Sequence, residues 1–394
     1  MSRENMSASP PVRGRRYVTT RSRDLVRAKK KKKSYFDYSL LFVIIFMLVF
    51  GLLMLYSTSA YNAAIEFGDS SYYLKKQLTA TCLGIAVMLV VSFLDYRKFV
   101  WSGVVIYAVS IVALFLVLTP LGMEFNGARR WINVGISIQP AEIAKLGVII
   151  FLAVLVSNNR QRLDRVTMLI KLFAVSLFPA AIIYFVTDNM SSALIVAGIA
   201  FIMLFVASPK YSYFVLAAAL GVAGIVGLLT TGNGFRGERF QAWQNPEKFA
   251  SGKGFQTLQS LYAIGSGGLT GKGLGQSVQK LGYVPEAQND MVFSIICEEL
   301  GLFGGIAVII LFLIMIWRFM VIANNAEDLF GSMLVIGVMA HISIQVILNI
   351  AVVTNTIPNT GITLPFISYG GTSILFLLTE MGMVLSVSRQ IKLE

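Results

Sequence analysis

The sequence has very few of the side chains on which soluble enzymes build catalytic and metal sites. It contains one histidine, His341, and two cysteines, Cys82 and Cys297, all in or beside apolar segments. A single histidine argues against a Ser-His-Asp triad and against a histidine-rich metal centre. Two cysteines in such places provide neither a disulfide framework nor the spacing of a metal site. Any chemistry must therefore come from other groups.

Charged residues are scarce as well, at 13% of the 394 positions, whereas 56% of the residues are hydrophobic and the mean hydropathy is +0.72. Several apolar runs reach the roughly 18 residues expected of a transmembrane helix. We therefore predict an all-α polytopic membrane protein with ten membrane-spanning helices. The predicted spans lie near residues 38–58, 77–94, 100–119, 141–157, 167–186, 190–207, 212–230, 291–318, 330–354 and 372–388.

The basic residues predict the orientation of these spans. With both termini in the cytoplasm, the basic loops all fall on the cytoplasmic side, as the positive-inside rule requires, and this agreement favours ten spans over nine or eleven. The basic residues that follow the rule are Arg97, Lys98, the three arginines of 158–165, Lys210, Arg318, Arg389 and Lys392.

The N-terminal tail has the strongest charge asymmetry, since residues 1–33 hold twelve lysines and arginines against two acidic residues. Such a segment cannot bury a core, so we predict a disordered basic cytoplasmic tail at 1–36 and one ten-helix membrane domain at 37–394. No apolar stretch with a cleavage site precedes Ser39, which argues against a signal peptide. The tail either orients the first span or contacts anionic lipid or a cytoplasmic partner. It carries no base-reading fold, which argues against nucleic acid.

Four segments fall on the outer side in this topology: 120–140, 187–192, the large loop at about 231–290, and 355–371. A loop of about sixty residues is uncommon unless it is functional. The last segment, "NTIPNTGITLPFISYGG", mixes apolar residues with prolines and glycines and cannot form one regular helix. Irregular backbone near membrane depth survives only against protein or a water-filled cavity, so we predict an outward-facing cavity.

The first outer segment and the next span contain "NGARRWINVGISIQPAEIAK". Arg129 and Arg130 on the outer side oppose the positive-inside trend, and Trp131 suits a membrane interface. Glu142 and Lys145 are three residues apart and therefore share a helix face. Two interpretations remain open: a local ion pair beside an interfacial anchor, or a site for an anionic headgroup, to which arginine is well suited.

The large loop contains the glycine-rich stretch "FQTLQSLYAIGSGGLTGKGLGQSVQK" at 255–280. It matches neither G-x-x-x-x-G-K-[ST] nor a G-x-G-x-x-G that follows a strand, so it gives little support to nucleotide binding. We expect instead a backbone-rich surface that approaches a ligand closely. The side chains there that could hydrogen-bond a sugar or a phosphate are Gln256, Gln259, Ser260, Gln279 and Lys280.

The stretch "YVPEAQNDMVFSIICEELG" ends the loop and opens an apolar run. Asp290 is either the N-cap of the next helix or a functional carboxylate, because carboxylates at membrane depth are costly and mark sites. Glu286 precedes it by four residues. Glu298 and Glu299 interrupt the apolar run, which predicts a short interfacial helix at 291–299 before the span proper.

Polar residues also occur within the last two spans. His341, Gln345 and Asn349 are spaced by four residues, so they share one face of the ninth span. Hydrogen bonds between helices and the lining of a cavity are both consistent with this spacing. Glu380 in the tenth span needs a partner, which the sequence does not identify.

Four motifs occur along the chain in a fixed order: "NGARRWI", "QPAEIAK", the stretch from "FQTLQSLY" to "ICEELG", and "IPNTGITLPFISYGGTS". Together they resemble the SEDS family of shape, elongation, division and sporulation proteins, which comprises FtsW, RodA and SpoVE. The resemblance covers about residues 35–390. The basic tail and the loop sequences look more like FtsW or SpoVE than RodA.

The resemblance implies ten spans with cytoplasmic termini and a peptidoglycan glycosyltransferase that polymerises lipid II, an undecaprenyl-diphosphate-linked disaccharide peptide, at the outer face of the bacterial cytoplasmic membrane. It implies that Asp290, in the motif P-E-A-x-x-D, is the general base on the acceptor 4-hydroxyl. The donor's anomeric carbon is then attacked with inversion as undecaprenyl diphosphate leaves. The residues matched to other family positions, and expected at the substrate site, are Arg130, Trp131, Glu142, Lys145, Gln279, Lys280, Glu286, Ser368 and Tyr369.

The resemblance also implies partners. No cofactor is required and no metal-binding residue is assigned, although a divalent cation, Mg²⁺ or Mn²⁺, could screen the diphosphate. The expected partners are a class B penicillin-binding protein, which is a transpeptidase, and other divisome proteins at the septum of a dividing cell, with no nucleic acid. Two functions of other classes remain as alternatives: a lipid II flippase, and a scaffold that recruits the transpeptidase.

Two positions depart from the family pattern. Where many relatives have a Pro-Asp pair before the sixth span, this chain has "TDNMSSAL", with Asn189 at the aspartate position. Where some relatives carry lysine in Pro-Thr-Lys-Gly, this chain has Thr360. A basic group for the diphosphate is therefore expected from Lys280 or Arg130.

Overall fold

The structure of the protein is a computed structural model. The predicted tail at 1–36 lies outside the described residues, except for Tyr35 and Phe36, and so do the first two residues of the motif "NGARRWI". The described residues are 35–125, 128–133, 135, 137–231, 235–252 and 254–391.

Each of the ten predicted spans coincides with one helix. Apolar runs fold this way because a helix satisfies every backbone polar group within the segment, as a bilayer demands. The α-helices in the described residues are α1 Tyr38–Phe67, α2 Tyr72–Phe93, α3 Lys98–Leu116, α4 Pro140–Asn158, α5 Val166–Val186, α6 Met190–Ala207, α7 Ser212–Thr231, α8 Phe235–Gln244, α9 Phe255–Gly267, α10 Val292–Asn324, α11 Leu329–Val353 and α12 Gly371–Gln390.

Nine helices in the described part of the chain are long and apolar enough to cross a membrane, so this is a multi-pass membrane protein. The predicted span 212–230 corresponds to α7. Its apolar stretch in the described part of the chain is shorter than those of the nine helices and covers Ser212–Gly221. The two described ends of the chain meet, since the Tyr35 amide donates to the Ile391 carbonyl at 3.2 Å. Both ends therefore lie on one side, as an even number of spans requires.

Local sequence fixes several helix ends. Asp37 accepts a hydrogen bond from the Leu40 amide at 2.9 Å and so caps the start of α1. Asp328 caps α11 in the same way. The first helix runs past its predicted end near residue 58 and stops at Gly68, whose φ of 70° is left-handed and favours glycine.

The centre of the bundle is formed by α4, α12 and α11. Their most apolar stretches are 78%, 67% and 61% buried, against 22% for α3, which faces outward. The fourth helix packs against α3, α6 and α11, and α11 also packs against α10. The outer segments adjoin the outer ends of these central helices, and the candidate site is built there.

A small antiparallel sheet forms the first outer segment. Its strands are β1 Gly122–Phe125, β2 Ala128–Asn133 and β3 Ser137–Ile138, in the order β1-β2-β3. Strand β2 contacts α4 and strand β3 contacts α12. The predicted all-α class therefore holds for the membrane domain, with this sheet as a local addition.

Helix α10 is broken at Gly301, where φ is 68° and ψ is −167°. Glu298 and Glu299 lie on the short outer piece, and the long piece continues through the membrane. The break confirms the short helix predicted at 291–299.

The loop after α9 fills this break. The amides of Lys272 and Gly273 donate to the carbonyls of Glu298 and Glu299, both at 2.9 Å. A Cβ atom on Gly301 would lie 2.4 Å from the Gly271 nitrogen. The glycines of this stretch are thus needed for close approach to the protein's own backbone.

Candidate active site

The four predicted outer segments are joined to one another by hydrogen bonds. Each bond links two segments that are distant in sequence, so the four segments form one assembly above α4 and α11. The bonds are Arg130 Nη2 to the Asp188 carbonyl at 2.8 Å, Ser191 Oγ to the Thr360 carbonyl at 2.5 Å, Trp243 Nε1 to the Asn355 carbonyl at 3.0 Å, and the Tyr369 amide to the Gln288 carbonyl at 2.8 Å.

Asp290 lies within this assembly and is 7% exposed. Its carboxylate oxygens accept from Gln256 Nε2 at 3.2 and 3.3 Å. Gln256 in turn accepts from Asn359 Nδ2 at 2.8 Å. The Asp290 carbonyl accepts from Asn349 Nδ2 at 2.8 Å. The residue is therefore held through both its side chain and its backbone, by α9, α11 and the segment 355–371.

The N-cap interpretation of Asp290 is wrong. Helix α10 begins at Val292, and Met291 occupies the N-cap position without a side-chain hydrogen bond. The Ser294 amide donates to the Met291 carbonyl at 3.0 Å, so the first turn starts from Met291 and not from Asp290. The carboxylate is turned towards Gln256 on α9 instead.

Helix α11 holds the segment 355–371 by two side-chain amides. Asn349 Nδ2 donates to the Ile362 carbonyl at 2.7 Å, and Gln345 Nε2 donates to the Thr363 carbonyl at 3.0 Å. Two successive carbonyls of an irregular segment are thereby satisfied inside the protein, as burial at this depth requires.

The end of this segment carries Ser368 and Tyr369. The Ser368 hydroxyl accepts from the Leu364 amide at 2.8 Å, which closes a turn. The Tyr369 ring meets the Tyr73 ring edge-on, with centroids 5.0 Å apart. Burial raises the pKa of the Tyr369 phenol, although Lys76 lowers it, so the phenol remains a neutral hydrogen-bond donor at pH 7. Sequence reasoning missed Tyr73 and Lys76, whose signal is "YYLKK" at the outer start of α2.

Arg130 and Trp131 are neighbours on strand β2. Besides the bond from Nη2 to Asp188, the guanidinium of Arg130 has a buried Nε without a hydrogen-bond partner among the described residues. Buried donors are normally satisfied. An anionic ligand would complete this arrangement.

Glu142 and Lys145 form the local ion pair that their spacing predicts. Lys145 Nζ lies 2.7 Å from Glu142 Oε1, and the two side chains are only 2% and 7% exposed. The pair sits at the outer end of α4, in the centre of the bundle. Its charges largely cancel, so each residue mainly stabilises the other.

Lys280 also forms a buried ion pair. Its Nζ lies 2.7 Å from Glu299 Oε1 and 2.9 Å from Ser57 Oγ, and the residue is 6% exposed. Lys272 is more exposed, and its Nζ lies 2.6 Å from Oε1 of the buried Glu298. These pairs fasten the glycine-rich loop to α1 and α10. The contact of Lys280 with a substrate stays a prediction, and Arg130 has the buried donor that is still to be matched.

The remaining predicted site residues lie along the same loop. Glu286 is exposed, has a left-handed φ of 54°, and accepts from Asn289 Nδ2. The backbone N–H of Gln279 donates to Glu298 Oε2 at 3.3 Å. Their roles towards a substrate stay predictions.

The buried partner of Glu380 is His341. His341 Nδ1 lies 2.8 Å from Glu380 Oε2, and both side chains are 1% exposed. His341 makes the predicted hydrogen bond between helices, whereas Gln345 and Asn349 bond to backbone carbonyls of the outer segments.

The two departures from the family pattern have local explanations. Asn189 accepts from the Ser192 amide at 3.0 Å and is the N-cap of α6, a role that asparagine fills as well as aspartate. Thr360 contributes its carbonyl to Ser191. Neither position brings an ionised side chain to the site.

A metal site held by the protein would need several His, Cys, Asp or Glu side chains close together. In the described part of the chain, no group of three or more His, Cys, Asp or Glu side chains could hold an ion. These described residues therefore do not fit a cation held by the protein alone.

Comparison with known proteins places these features in a family. Residues 38–393 match the model of the cell cycle protein family that comprises FtsW, RodA and SpoVE. Stage V sporulation protein E of Bacillus subtilis is 41% identical over 364 residues, which cover 91% of this chain and 98% of that protein. The probable peptidoglycan glycosyltransferase FtsW of Trichlorobacter lovleyi is 37% identical over 91% of this chain and 94% of its own length. These names agree with the predicted likeness to FtsW and SpoVE.

Solved structures give the same answer. One chain, from work described as the structural coordination of polymerization and crosslinking by a peptidoglycan synthase complex, matches with a TM-score of 0.75 and 27% identity over 91% of this chain and 99% of its own. The rod shape determining protein RodA of Thermus thermophilus matches with a TM-score of 0.66 and 25% identity, over 91% and 98% of the two chains. The chain therefore belongs to the FtsW, RodA and SpoVE family of cell cycle proteins.

Proposed function

We propose that the protein is a peptidoglycan glycosyltransferase that polymerises lipid II at the outer face of the cytoplasmic membrane, with Asp290 as the general base. The class of enzyme follows from family membership and from relatives that carry this name. The observation that carries the assignment of the base is the placement of Asp290, held at its carbonyl by Asn349 and at its carboxylate by Gln256, where the four outer segments meet.

In the proposed reaction, Asp290 accepts the proton of the acceptor 4-hydroxyl as that oxygen attacks the donor's anomeric carbon. The bond from this carbon to the diphosphate oxygen breaks, and undecaprenyl diphosphate leaves with the bonding electrons. A positioned carboxylate contributes to such a step because it removes the proton as the new bond forms. A fixed carboxylate also avoids the entropy cost of finding the acceptor in solution.

The substrate class agrees with the outer assembly that contains Asp290. Lipid II combines a long apolar tail with an anionic diphosphate, so its site needs both an apolar membrane surface and a basic group. Arg130 supplies a guanidinium with an unmatched buried donor at the outer assembly. The diphosphate is the group that we assign to Arg130. A divalent cation, if it takes part, would then be held mainly by the phosphates of the substrate.

We assign the protein a transpeptidase partner of the class B penicillin-binding type and a place at the division septum, with other divisome proteins. The support is the resemblance to FtsW and SpoVE and the likeness to a chain from a complex described as coordinating polymerization and crosslinking. A scaffold role is compatible with catalysis and does not replace it.

A lipid II flippase is the main competing function. A flippase needs a polar path between the two leaflets, and His341 and Glu380 are polar groups within the last two spans that such a path would use. They are 1% exposed and bonded to each other, inside the packed bundle. This pairing supports polymerisation over lipid translocation.

The test is polymerisation of labelled lipid II by the purified protein together with its candidate transpeptidase partner. Asp290→Asn keeps the shape of the side chain and removes the base, so we expect lipid II binding with no glycan chains. Asp69→Asn is the matched control, because Asp69 is an exposed outer aspartate paired with Lys75. Normal polymerisation by Asp290→Asn would show that the base is another group. No product from an intact wild-type complex would favour the flippase or the scaffold.

A further inference from the structure

Four buried polar side chains connect the middle of the membrane domain to the candidate active site. We call Glu380, His341, Gln345 and Asn349 the polar ladder; none is more than 3% exposed. His341 bonds to Glu380 at 2.8 Å and, through Nε2, to Gln345 Oε1 at 2.9 Å. Uncompensated polar groups at this depth are costly, so each bond in the ladder constrains the next.

The direction of the bonds from Gln345 through His341 to Glu380 follows from one carbonyl. The Thr363 carbonyl can only accept, so the Gln345 atom 3.0 Å away must be the amide nitrogen. The amide oxygen of Gln345 then faces His341, and Nε2 of the imidazole must carry a hydrogen. The other ring nitrogen shares one further proton with the Glu380 carboxyl group.

This direction matters for the site because the ladder ends on it. Thr363 and Ile362 are adjacent, and Asn349 binds the Ile362 carbonyl and the Asp290 carbonyl with the same amide nitrogen. Gly361 precedes them, and a Cβ atom built there would lie 3.9 Å from Asp290 Oδ2. The ladder thus sets the distance between this segment and the carboxylate of Asp290.

We propose that Glu380 and His341 are positioning residues for the reaction at Asp290. Glu380 fixes the imidazole in the form that donates from Nε2, and the imidazole fixes the Gln345 amide in the direction that holds Thr363. With Glu380 removed, His341 can present an unprotonated Nε2, and Gln345 then turns its nitrogen away from Thr363. The segment 355–371 loses one of its two amide anchors on α11. The effect on catalysis rests on the proposed function, whereas the effect on the segment does not.

Two substitutions of Glu380 separate positioning from a need for charge. Glu380→Gln supplies an amide that donates to Nδ1 of a neutral imidazole, which keeps the hydrogen on Nε2 and the ladder intact. Glu380→Met has a similar volume and no hydrogen-bonding group. We expect Glu380→Gln to polymerise lipid II within a factor of about three of wild type. We expect Glu380→Met to lose about tenfold or more, because the segment beside the base is displaced.

The second readout is amide hydrogen exchange in peptides that cover 355–371. Faster exchange in Glu380→Met, with Glu380→Gln like wild type, is the expected result. Ser386→Ala is the matched control, since Ser386 is also buried on α12 but bonds to the Leu94 carbonyl, away from the ladder. If Glu380→Met does not fold, Gln345→Met makes the same cut closer to the site and must give the same two effects.

The outcomes are distinct. Wild-type rates and exchange in both Glu380→Met and Gln345→Met would overturn the proposal. Loss of activity in Glu380→Gln equal to that in Glu380→Met would also overturn it, because the charge rather than the bond direction would then matter. If the wild-type protein makes no glycan, the proposed function fails, and the exchange measurement still decides whether the ladder holds the segment.

Discussion

The two ends of the helical bundle are held together by different kinds of contact. At the cytoplasmic end, Arg318 binds Asp37 at 2.6 Å, and the Asp37 side chain is fully buried. Arg97 binds Glu327 at 2.7 Å and Asp328 at 3.0 Å in the same region. The connections between α1 and α10, and between α3 and α11, are therefore charge-assisted.

At the outer end, three of the four bonds that join the outer segments are neutral hydrogen bonds to backbone carbonyls, for example from the Trp243 indole to the Asn355 carbonyl. Ion pairs of Lys272 and Lys280 fasten the glycine-rich loop to α10. A charge-assisted bond contributes about 1.5–3 kcal/mol, against about 0.5–1.5 kcal/mol for a neutral one. The cytoplasmic end is therefore a fixed frame, whereas the contacts between the outer segments are mostly weaker bonds that a substrate could replace with its own.

The largest effect is expected at the ion pair that does fasten the outer end. Lys280→Met leaves the fully buried Glu299 without its cation, and we expect a loss of about 3–5 kcal/mol in the free energy of unfolding. The measurement is unfolding in mixed detergent micelles. The double variant Lys280→Met, Glu299→Met should recover most of the loss. If the single variant is stable and instead binds lipid II poorly, Lys280 binds the substrate and does not serve mainly to fasten the outer end.

A smaller loss is expected at the break in α10. Gly301→Ala places a side chain at a φ of 68° that only glycine adopts readily, beside the backbone of Gly271. We expect a cost of about 3 kcal/mol, measured by the same unfolding experiment. Gly265→Ala is the control, because a Cβ atom there meets nothing within 4 Å. Equal stability of the two variants would contradict the tight fit.

The cytoplasmic frame gives the next effect. Asp37→Asn keeps a good N-cap for α1 and removes the charge opposite Arg318, so we expect a loss of about 1.5–3 kcal/mol. The polymerisation rate per folded molecule should not change, because this end lies across the membrane from Asp290. A changed rate with unchanged stability would show that the two ends are not independent.

The smallest effect on stability is expected at Gln256. Gln256→Met removes two long hydrogen bonds to the Asp290 carboxylate, so the free energy of unfolding should fall by about 1.5 kcal/mol or less, the low end for bonds to a charged group. The rate of glycan formation should fall about tenfold, since the Asp290 carboxylate is no longer oriented. Gln276→Met, at an exposed glutamine of the following loop, should match wild type in both measurements. An unchanged rate in Gln256→Met would show that other contacts orient Asp290.

The membrane helices could be predicted from the sequence because apolarity along a run is a local property. The end of α1 could not, since "YNAAIEF" is less apolar but continues the helix up to the left-handed Gly68. The sheet at 122–138 was also missed. Its strands are short, and the pairing of Met123 with Trp131 is decided across the hairpin rather than within either strand.

The candidate site was only partly predictable. The family resemblance singled out Asp290, but its contact with Gln256 spans 34 residues and has no local signal. The partner of Glu380 lay 39 residues away on α11, and mutual burial alone reveals it. Spacing did predict the pair of Glu142 and Lys145, because residues three apart on a helix are neighbours.

The break at Gly301 has a consequence for how the protein meets bilayers of different thickness. A long membrane helix adapts to a thinner bilayer by tilting. In α10 the tilting part ends at Gly301, and the short piece that follows Asp290 is fastened to the glycine-rich loop by Glu298 and Glu299. We therefore expect the long piece to change its angle mainly at Gly301, with little rotation of the carboxylate, and the polymerisation rate to be nearly the same in vesicles of shorter and longer acyl chains.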